Sequence, residues 1–427
     1  MNVLVIGAGG REHALVWKLR QSRSVGRLYC LPGNAGTRAV AEGARVNPDR
    51  HGEIVDFCRA ADIGLVAIGP EAPLADGLAD TLRAAGVLTF GPSAAAAQLE
   101  ASKSFTKGIC VERGIPTACG KQFFNRSDAR AWARDNGAPL VVKADGLAAG
   151  KGVTVCETLD DAYSAIEACF SGTFGESGAS VLIEEKLEGE EASFFALCDG
   201  VRAIPFGSAQ DYKRALDGDT GPNTGGMGAV SPAPMMTAAL ERRILAEIVT
   251  PTLEALVDRG TPFQGVLYAG LMMTAEGPKL IEYNVRFGDP ECQVLMMRLK
   301  SDLLPFLVAS ARGNLSGMEV EWDERKAITV VMAAKGYPGS YRKGTPIGSL
   351  AAAERVPGVT VFHAGTALSP EGTLLASGGR VLNVTALGDT VAEARKNAYR
   401  AAAAIDWPDG FYRRDIGWRS LVREEAS

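Results

Sequence analysis

Short aliphatic and β-branched runs set the rhythm of the first hundred residues. They fall at 3–6, 28–31, 63–68 and 87–90, and each is closed by a turn rich in glycine or proline. Stretches with helical spacing separate them. This alternation predicts parallel strands joined by crossover helices, a doubly wound α/β sheet. Ligands on such a sheet bind at the carboxyl ends of the strands. Those ends carry Gly7-Ala8-Gly9-Gly10-Arg11-Glu12-His13, Pro32-Gly33-Asn34-Ala35-Gly36 and Gly69-Pro70-Glu71-Ala72-Pro73, so the three loops are expected to line one crevice.

From about residue 103 to 326 helices mix with paired strands, an α+β pattern. Residues 127–136 and 158–170 read as amphipathic helices, the second with Ala162, Ile166 and Phe170 on one face. Asp199-Gly200, between runs at 192–197 and 201–204, predicts a tight hairpin with positive φ at both residues. Beyond 327, strand-like runs at 328–333, 359–364 and 380–385 precede an alanine-rich helix near 390–405, where Thr390 and Glu393 match a capping box. The expected division is 1–102, 103–326 and a small α+β domain at 327–427, with no internal repeat.

Composition narrows the classes. A chain of 427 residues, 46% hydrophobic and 22% charged, is large enough for several packed domains. Its formal net charge of -5 offers no bulk attraction to nucleic acid or to an anionic membrane. No apolar stretch reaches the roughly 18 residues needed to span a bilayer, and the start reads as a core strand and not as a leader. The eight cysteines contain no CxxC pair and read as buried, reduced thiols of a cytoplasmic protein.

Four segments carry candidate chemistry. LVVKADGLAAGKGVTV at 140–155 sets a glycine loop between two strand-like runs, with Lys143 and Lys151 bracketing it. It lacks the spacing of a Walker A loop, yet backbone N–H groups there can cover phosphates while the lysines supply charge. A plain glycine hairpin with solvated lysines is the alternative. In KLIEYNVR at 279–286 a period of two puts Glu282, Asn284 and Arg286 on one face and Ile281, Tyr283 and Val285 on the other. Magnesium takes hard oxygens and commonly uses one or two protein ligands beside substrate phosphates, which suits Glu282 and Asn284. Arg286 is placed to neutralise a transferring phosphoryl group; an ordinary half-exposed strand with a Glu-Arg pair is the alternative. VLIEEKLEGEE at 181–191 leaves a strand into an acidic turn suited to ribose hydroxyls or simply to solvent. TGPNTGGMG at 220–228, with Asn223, Thr224, Gly225 and Gly226, is rich enough in glycine to bring backbone N–H groups against a ligand. At the first turn Glu12 stands where a dinucleotide fingerprint needs its third glycine, while Arg11 suits a single phosphate.

Taken together, GAGGREHAL at 7–15, PGNAGT at 32–37, GPEAPL at 69–74, KADGLAAGKG at 143–152, GEEASF at 189–194, DTGPNTGGMGA at 219–229, NVRFGDPE at 284–291 and FHAGT at 362–366 resemble the glycinamide ribonucleotide synthetase family of ATP-grasp ligases. The resemblance runs nearly end to end. It implies a biotin carboxylase-like N-terminal domain, a central ATP-grasp unit with a mobile lid at about 123–190, and a small C-terminal domain. It implies ATP, glycine and 5-phosphoribosylamine as substrates, Mg2+ or Mn2+ as the metal, no nucleic-acid or membrane partner, and a monomer or weak homo-oligomer. Carried over by position, Lys103, Lys143, Gly146, Gly150, Lys151 and Gly152 would hold ATP phosphates. The backbone of Glu185, Lys186 and Leu187 would hold adenine, and Glu191 the ribose. Glu282 and Asn284 would be the metal pair. Arg286, Asp289, Asp211 and Lys213 would face glycine and the reacting phosphate. Gly10, Arg11 and Glu71 would surround phosphoribosylamine, with Asn223 to Gly226, Gly288 and Pro290 also at the substrates. Gly270-Leu271-Met272-Met273 offers no carboxylate where other ATP-grasp proteins commonly have one.

These parts imply activation of a carboxylate by ATP as an acyl phosphate, followed by attack of an amine. A nicotinamide dehydrogenase is a poorer fit because the dinucleotide fingerprint is broken, and a non-catalytic nucleotide sensor has no use for the Glu282, Asn284 and Arg286 face.

Overall fold

A computed structural model of the chain describes residues 1–147, 152–172 and 180–426. Its first sheet is parallel, formed by β1 (Asn2–Gly7), β2 (Leu28–Pro32), β3 (Ile63–Ile68) and β4 (Thr89–Phe90) in the order β2-β1-β3-β4. The helix Gly10–Leu19 follows β1 directly. Glu12 explains why this turn departs from the dinucleotide pattern: its carboxylate accepts the Gly9 N–H at 2.6 Å and so occupies the anion position at the helix N-terminus. The fourth strand is only two residues long, shorter than the run at 87–90.

A separate antiparallel sheet of β5 (Gly120–Phe123), β6 (Leu140–Ala144), β7 (Val153–Cys156) and β8 (Val181–Glu185), in the order β5-β8-β6-β7, carries the helices Arg126–Asn136 and Leu159–Phe170. Thr158 caps the second helix with a reciprocal bond from Asp161. Ala162 and Ile166 are buried with Phe123, Val142 and Ile183 in a core belonging to this unit alone, and Phe170 packs against it half-buried.

The largest sheet begins with the hairpin β9 (Glu190–Gly200) and β10 (Ala203–Asp211). After the small ribbon of β11 (Arg214–Leu216) and β12 (Thr220–Asn223) come β13 (Gly228–Ser231), β14 (Phe263–Thr274), β15 (Gly277–Asn284) and β16 (Lys326–Ala334). Next, β17 (Thr345–Pro346), β19 (Thr366–Leu368) and β20 (Leu374–Ala376) form a three-stranded sheet, while β18 (Val359–His363) and β21 (Arg380–Gly388) extend the large one and β22 (Gly410–Phe411) pairs with β16. The large sheet runs β15-β14-β9-β10-β13-β16-β21-β18, so the C-terminal strands continue the central ones through β13. Side chains of β1 and β9 divide by the period of two between two cores: Leu4, Ile6, Phe194 and Cys198 in one, Val3, Val5, Phe195 and Leu197 in the other.

Several expectations are corrected. Only Gly200 of the hairpin pair has positive φ; the Asp199 N–H donates to the Arg202 carbonyl at 3.0 Å and the Asp199 side chain accepts the N–H groups of Val201 and Arg202, so the two-residue turn is Gly200-Val201, one position later than expected. Strict alternation in β15 fails at Ile281, because the register shifts between Gly270↔Glu282 and Leu271↔Leu280. The extra residue lets Leu280 and Tyr283 share one core, while Ile281 leaves the face of Tyr283 and Val285. The Thr390 hydroxyl caps the helix Val391–Ala403, but Glu393 reaches the N–H of Asp389, not that of Thr390. Seven of the eight cysteines are buried free thiols; Cys119 is exposed.

Candidate active site

The carboxyl end of the parallel sheet, the separate four-stranded sheet and the large sheet enclose one cavity of about 790 Å³. From the first come Arg11 and Glu71; from the helix Lys103–Arg113 comes Lys103. The four-stranded unit supplies Lys143, Gly146 and Gly152, and the large sheet with its loops supplies Glu191, Asp211, Lys213, Asn223, Thr224, Gly225, Glu282, Asn284, Arg286 and Asp289. The sequence-predicted residues Gly10, Glu185, Lys186, Leu187, Gly226, Gly288 and Pro290 do not line it, and Gly150 and Lys151 lie outside the described residues. Glu185 turns its carboxylate to the Cys119 N–H at 2.8 Å, and Lys186 pairs with Glu157 at the surface. Gly226 has φ +108°, and a Cβ there would meet Pro290 Cδ at 2.5 Å, so both residues act as packing beneath the loop. The loop at 33–36 also fails to reach the cavity. Asn34 instead donates to the Ala8 and His363 carbonyls at 2.9 Å each, and His363 donates its N–H to His13 Nδ1 at 2.8 Å, tying the first, second and last of the recurring motifs to one another.

On one wall Lys143 Nζ lies 2.5 Å from Glu184 Oε2, and Lys107 Nζ lies 2.5 Å from Glu184 Oε1. Lys143 also donates to the Ile281 carbonyl at 3.1 Å, an acceptor presented by the bulged residue. Lys103 donates to the Gly146 carbonyl at 2.9 Å; burial pushes its ammonium below the ordinary range, with Glu282 opposing that shift.

A second part of the lining is a network around Arg286. Its Nε donates to Glu71 at 3.0 Å and its Nη2 to Glu100 at 2.8 Å, while the other Glu100 oxygen accepts the Val285 N–H at 2.8 Å. Burial alone would raise the Glu71 carboxyl, but Arg286 and Arg11 outweigh it and bring it down to about 2. Burial pushes the Glu100 carboxyl up, with Arg286 opposing. Arg11 pairs with Glu12 at 2.6 Å and donates to the Phe287 carbonyl at 3.0 Å.

Elsewhere in the lining, Lys213 Nζ lies 2.7 Å from Glu191 Oε2. Lys213 holds the Glu191 carboxyl below its ordinary range. Burial pushes the Asp211 carboxyl up to about 7, against the pull of Lys213. Glu291, raised by burial, accepts from the Tyr268 hydroxyl at 2.9 Å. Glu282 and Asn284 present hard oxygens to the cavity. Among the described residues no group of three or more His, Cys, Asp or Glu is arranged to hold a metal ion.

Sequence reasoning missed Glu100, Lys107, Glu184, Tyr268, Glu291, Tyr337, Arg380 and Arg419, all of which line the cavity. Lys107 had a signal, since it stands one helical turn after Lys103. Glu184 and Glu291 lie within segments already singled out. Tyr337, Arg380 and Arg419 had none.

Family models described as phosphoribosylglycinamide synthetase match this chain in three consecutive pieces: the N domain at 1–100, the ATP-grasp (A) domain at 101–292 and the C domain at 327–419. The chain belongs to the phosphoribosylglycinamide synthetase family. Within it, the phosphoribosylamine–glycine ligase of Rhizobium meliloti is 58% identical over 426 residues, covering 100% of both chains. That of Escherichia coli O157:H7 is 50% identical over 433 residues with the same coverage. The crystal structure of phosphoribosylamine–glycine ligase from Thermotoga maritima superimposes with a TM-score of 0.84 at 30% identity, covering 97% of this chain and 100% of that one. The biotin carboxylase domain of Hydrogenobacter thermophilus 2-oxoglutarate carboxylase shares the fold, with a TM-score of 0.72 at 17% identity over 96% of this chain and 91% of that one. The expected α/β and ATP-grasp architecture, and the family, are thereby borne out.

Proposed function

We propose that this chain joins glycine to 5-phosphoribosylamine at the expense of ATP, releasing glycinamide ribonucleotide, ADP and phosphate, a step of purine biosynthesis. It is an ATP-dependent ligase by family. The observation that carries the reading is that Lys103 and Lys143 line the same cavity as Glu282, Asn284 and Arg286. A carboxylate is inert to amines until one oxygen becomes a good leaving group. A glycine carboxylate oxygen attacks the γ-phosphorus of ATP, the bond to ADP breaks, and glycyl phosphate forms. The neutral amine of phosphoribosylamine then attacks the acyl carbon, phosphate leaves with the bonding pair, and the amine gives up one proton.

In this scheme the protein positions and neutralises. Lys103, Lys143 and the loop at 145–152 hold the ATP phosphates, Glu191 the ribose, and the backbone of 185–187, between the lining residues Glu184 and Gly189, the adenine at the edge of the cavity. Arg286, Asp289, Asp211 and Lys213 face glycine and the reacting phosphate. Arg11 and Glu71 surround phosphoribosylamine, with Gly10, the loop at 223–226 and residues 288–290 behind them. Asp211, poised near neutrality, is the cavity carboxylate suited to receive the amine proton. The donor set of Glu282 and Asn284 fits magnesium or manganese, and such an ion, when bound there, supplies positive charge to the phosphates. Because glycyl phosphate and phosphoribosylamine both decompose in water, the unit at about 123–190, which has a core of its own, serves as the lid over the nucleotide.

The corresponding division is 1–102, 103–326 and 327–427. Among the described residues no helix is long and apolar enough to cross a membrane, and the free thiols support a reducing, cytoplasmic setting. Incubation with ATP, Mg2+, glycine and freshly made phosphoribosylamine tests the reading. Phosphate release that requires both co-substrates supports it; release without them, or none at all, refutes it.

A further inference from the structure

Arg380 stands at the start of β21, on the C-terminal side of the large sheet, and its guanidinium enters the cavity wall. Nη1 donates to the Gly225 carbonyl at 2.6 Å, to the Gly226 carbonyl at 3.4 Å and to the Asp289 carbonyl, and Nη2 lies 3.5 Å from Asp289 Oδ2. One side chain thus grips two separate loops, 225–226 and 289. Tyr337 completes the hold, because its hydroxyl accepts the Gly225 N–H at 3.4 Å. Both backbone groups of Gly225 are therefore held by side chains from beyond residue 327. Glycines lie on both sides of this contact. A Cβ on Gly225 would press on the Arg380 guanidinium at 3.1 Å, and one on Gly379 would collide with the Tyr337 ring. A guanidinium is well matched to this grip, since its planar fork of five donors can serve several acceptors at once, which an ammonium on a longer stem does not match. Asp289, flanked by Arg380 and Arg11, is held ionised below its ordinary range although burial opposes it.

We infer that Arg380 is a positioning residue of the reaction, holding the 225–226 loop and Asp289 in one geometry at the glycine and phosphoribosylamine end of the cavity. The inference rests on the ligase reading above and on its assignment of these loops to the two co-substrates. It makes the C-terminal strands part of the active site, with an effect confined to one end of it. Among the described residues no hydrogen bond or ion pair joins Lys103 or Lys143 to Arg380 or Tyr337.

The test is steady-state kinetics of Arg380→Ala, Arg380→Lys and Tyr337→Phe in the full chain, with ATP, glycine and phosphoribosylamine varied in turn, beside melting temperatures. Misplacing reacting groups by about 1 Å costs on the order of a hundredfold. Arg380→Ala is expected to lower kcat/KM for glycine and phosphoribosylamine by about that factor while KM for ATP stays within about twofold. Added guanidinium should restore part of the Arg380→Ala rate, and Arg380→Lys should restore little. Tyr337→Phe should lose less, in the same direction. If Arg380→Lys matches the parent, or if all three substrates weaken equally in step with the melting temperature, the inference is overturned. Should Arg380→Ala fail to fold, Arg380→Lys and Tyr337→Phe decide by the same split between substrates. Failure of the unaltered protein to release phosphate with both co-substrates would sink the ligase reading itself; normal release with unaffected variants would sink only the role of Arg380.

Discussion

Lys143 and Glu184 form a buried ion pair, Nζ to Oε2 2.5 Å, with each side chain only 4% exposed. Lys107 completes the pair from outside the four-stranded unit, so a single carboxylate balances two cations at the wall assigned to the ATP phosphates. Breaking a buried pair by removing one partner typically costs about 3–5 kcal/mol, because the remaining charge is left uncompensated. Glu184→Gln should therefore lower the melting temperature markedly. Saturating ATP should recover more of that loss in the variant than it adds to the parent, since phosphates give the lysines a new counter-charge. Differential scanning fluorimetry with and without ATP checks both parts.

Glu282 faces Lys103 and Lys213 across the cavity and is half-buried. Glu282→Ala should abolish turnover while the circular dichroism spectrum and melting temperature stay close to those of the parent. Near-normal activity would refute its role as an oxygen ligand.

Asp211 gives a pH signature. Its carboxyl is raised from 3.8 to about 7, chiefly by burial, so between those values the folded chain holds a proton that the unfolded chain has released. Stability from this group is present at low pH and is lost as pH rises from about 4 towards 7. Asp211→Asn carries no such proton. The difference in unfolding free energy between parent and variant, measured by urea denaturation across that range, should move against the parent as pH rises, and a flat difference would contradict the shift.

Gly226→Ala should destabilise the fold by roughly 1 kcal/mol or more, because an alanine is strained at positive φ and its Cβ meets Pro290. Thermal melts read the loss. The rate should fall with it, since the same residue is gripped by Arg380.

What could be read from the chain depended on range. β1, β3 and the helices after Asn125 and Thr158 were legible because their periodicity and caps are local. The strand bearing Glu282 and Asn284 was legible in outline, but its bulge at Ile281 was not, because a bulge is set by the register with the partner strand β14 and not by the alternation within β15. The hairpin at Asp199 was misplaced by one position: the bonds of Asp199 to Val201 and Arg202 keep Asp199 in its strand and leave Gly200 and Val201 to make the turn. Arg380 and Tyr337 were invisible, since β13 carries the sheet across to β16 and so brings residues more than a hundred positions apart to Gly225. Glu100, too, gains its meaning only from Arg286, 186 positions further on.

Activation of the glycine carboxylate as an acyl phosphate is the step on which the proposed chemistry turns, and isotope transfer reads that step directly. With glycine labelled by 18O in both carboxylate oxygens, every phosphate released during turnover should carry one labelled oxygen and the amide product should keep the other. Phosphate free of label, with ligation still proceeding, would contradict the mechanism.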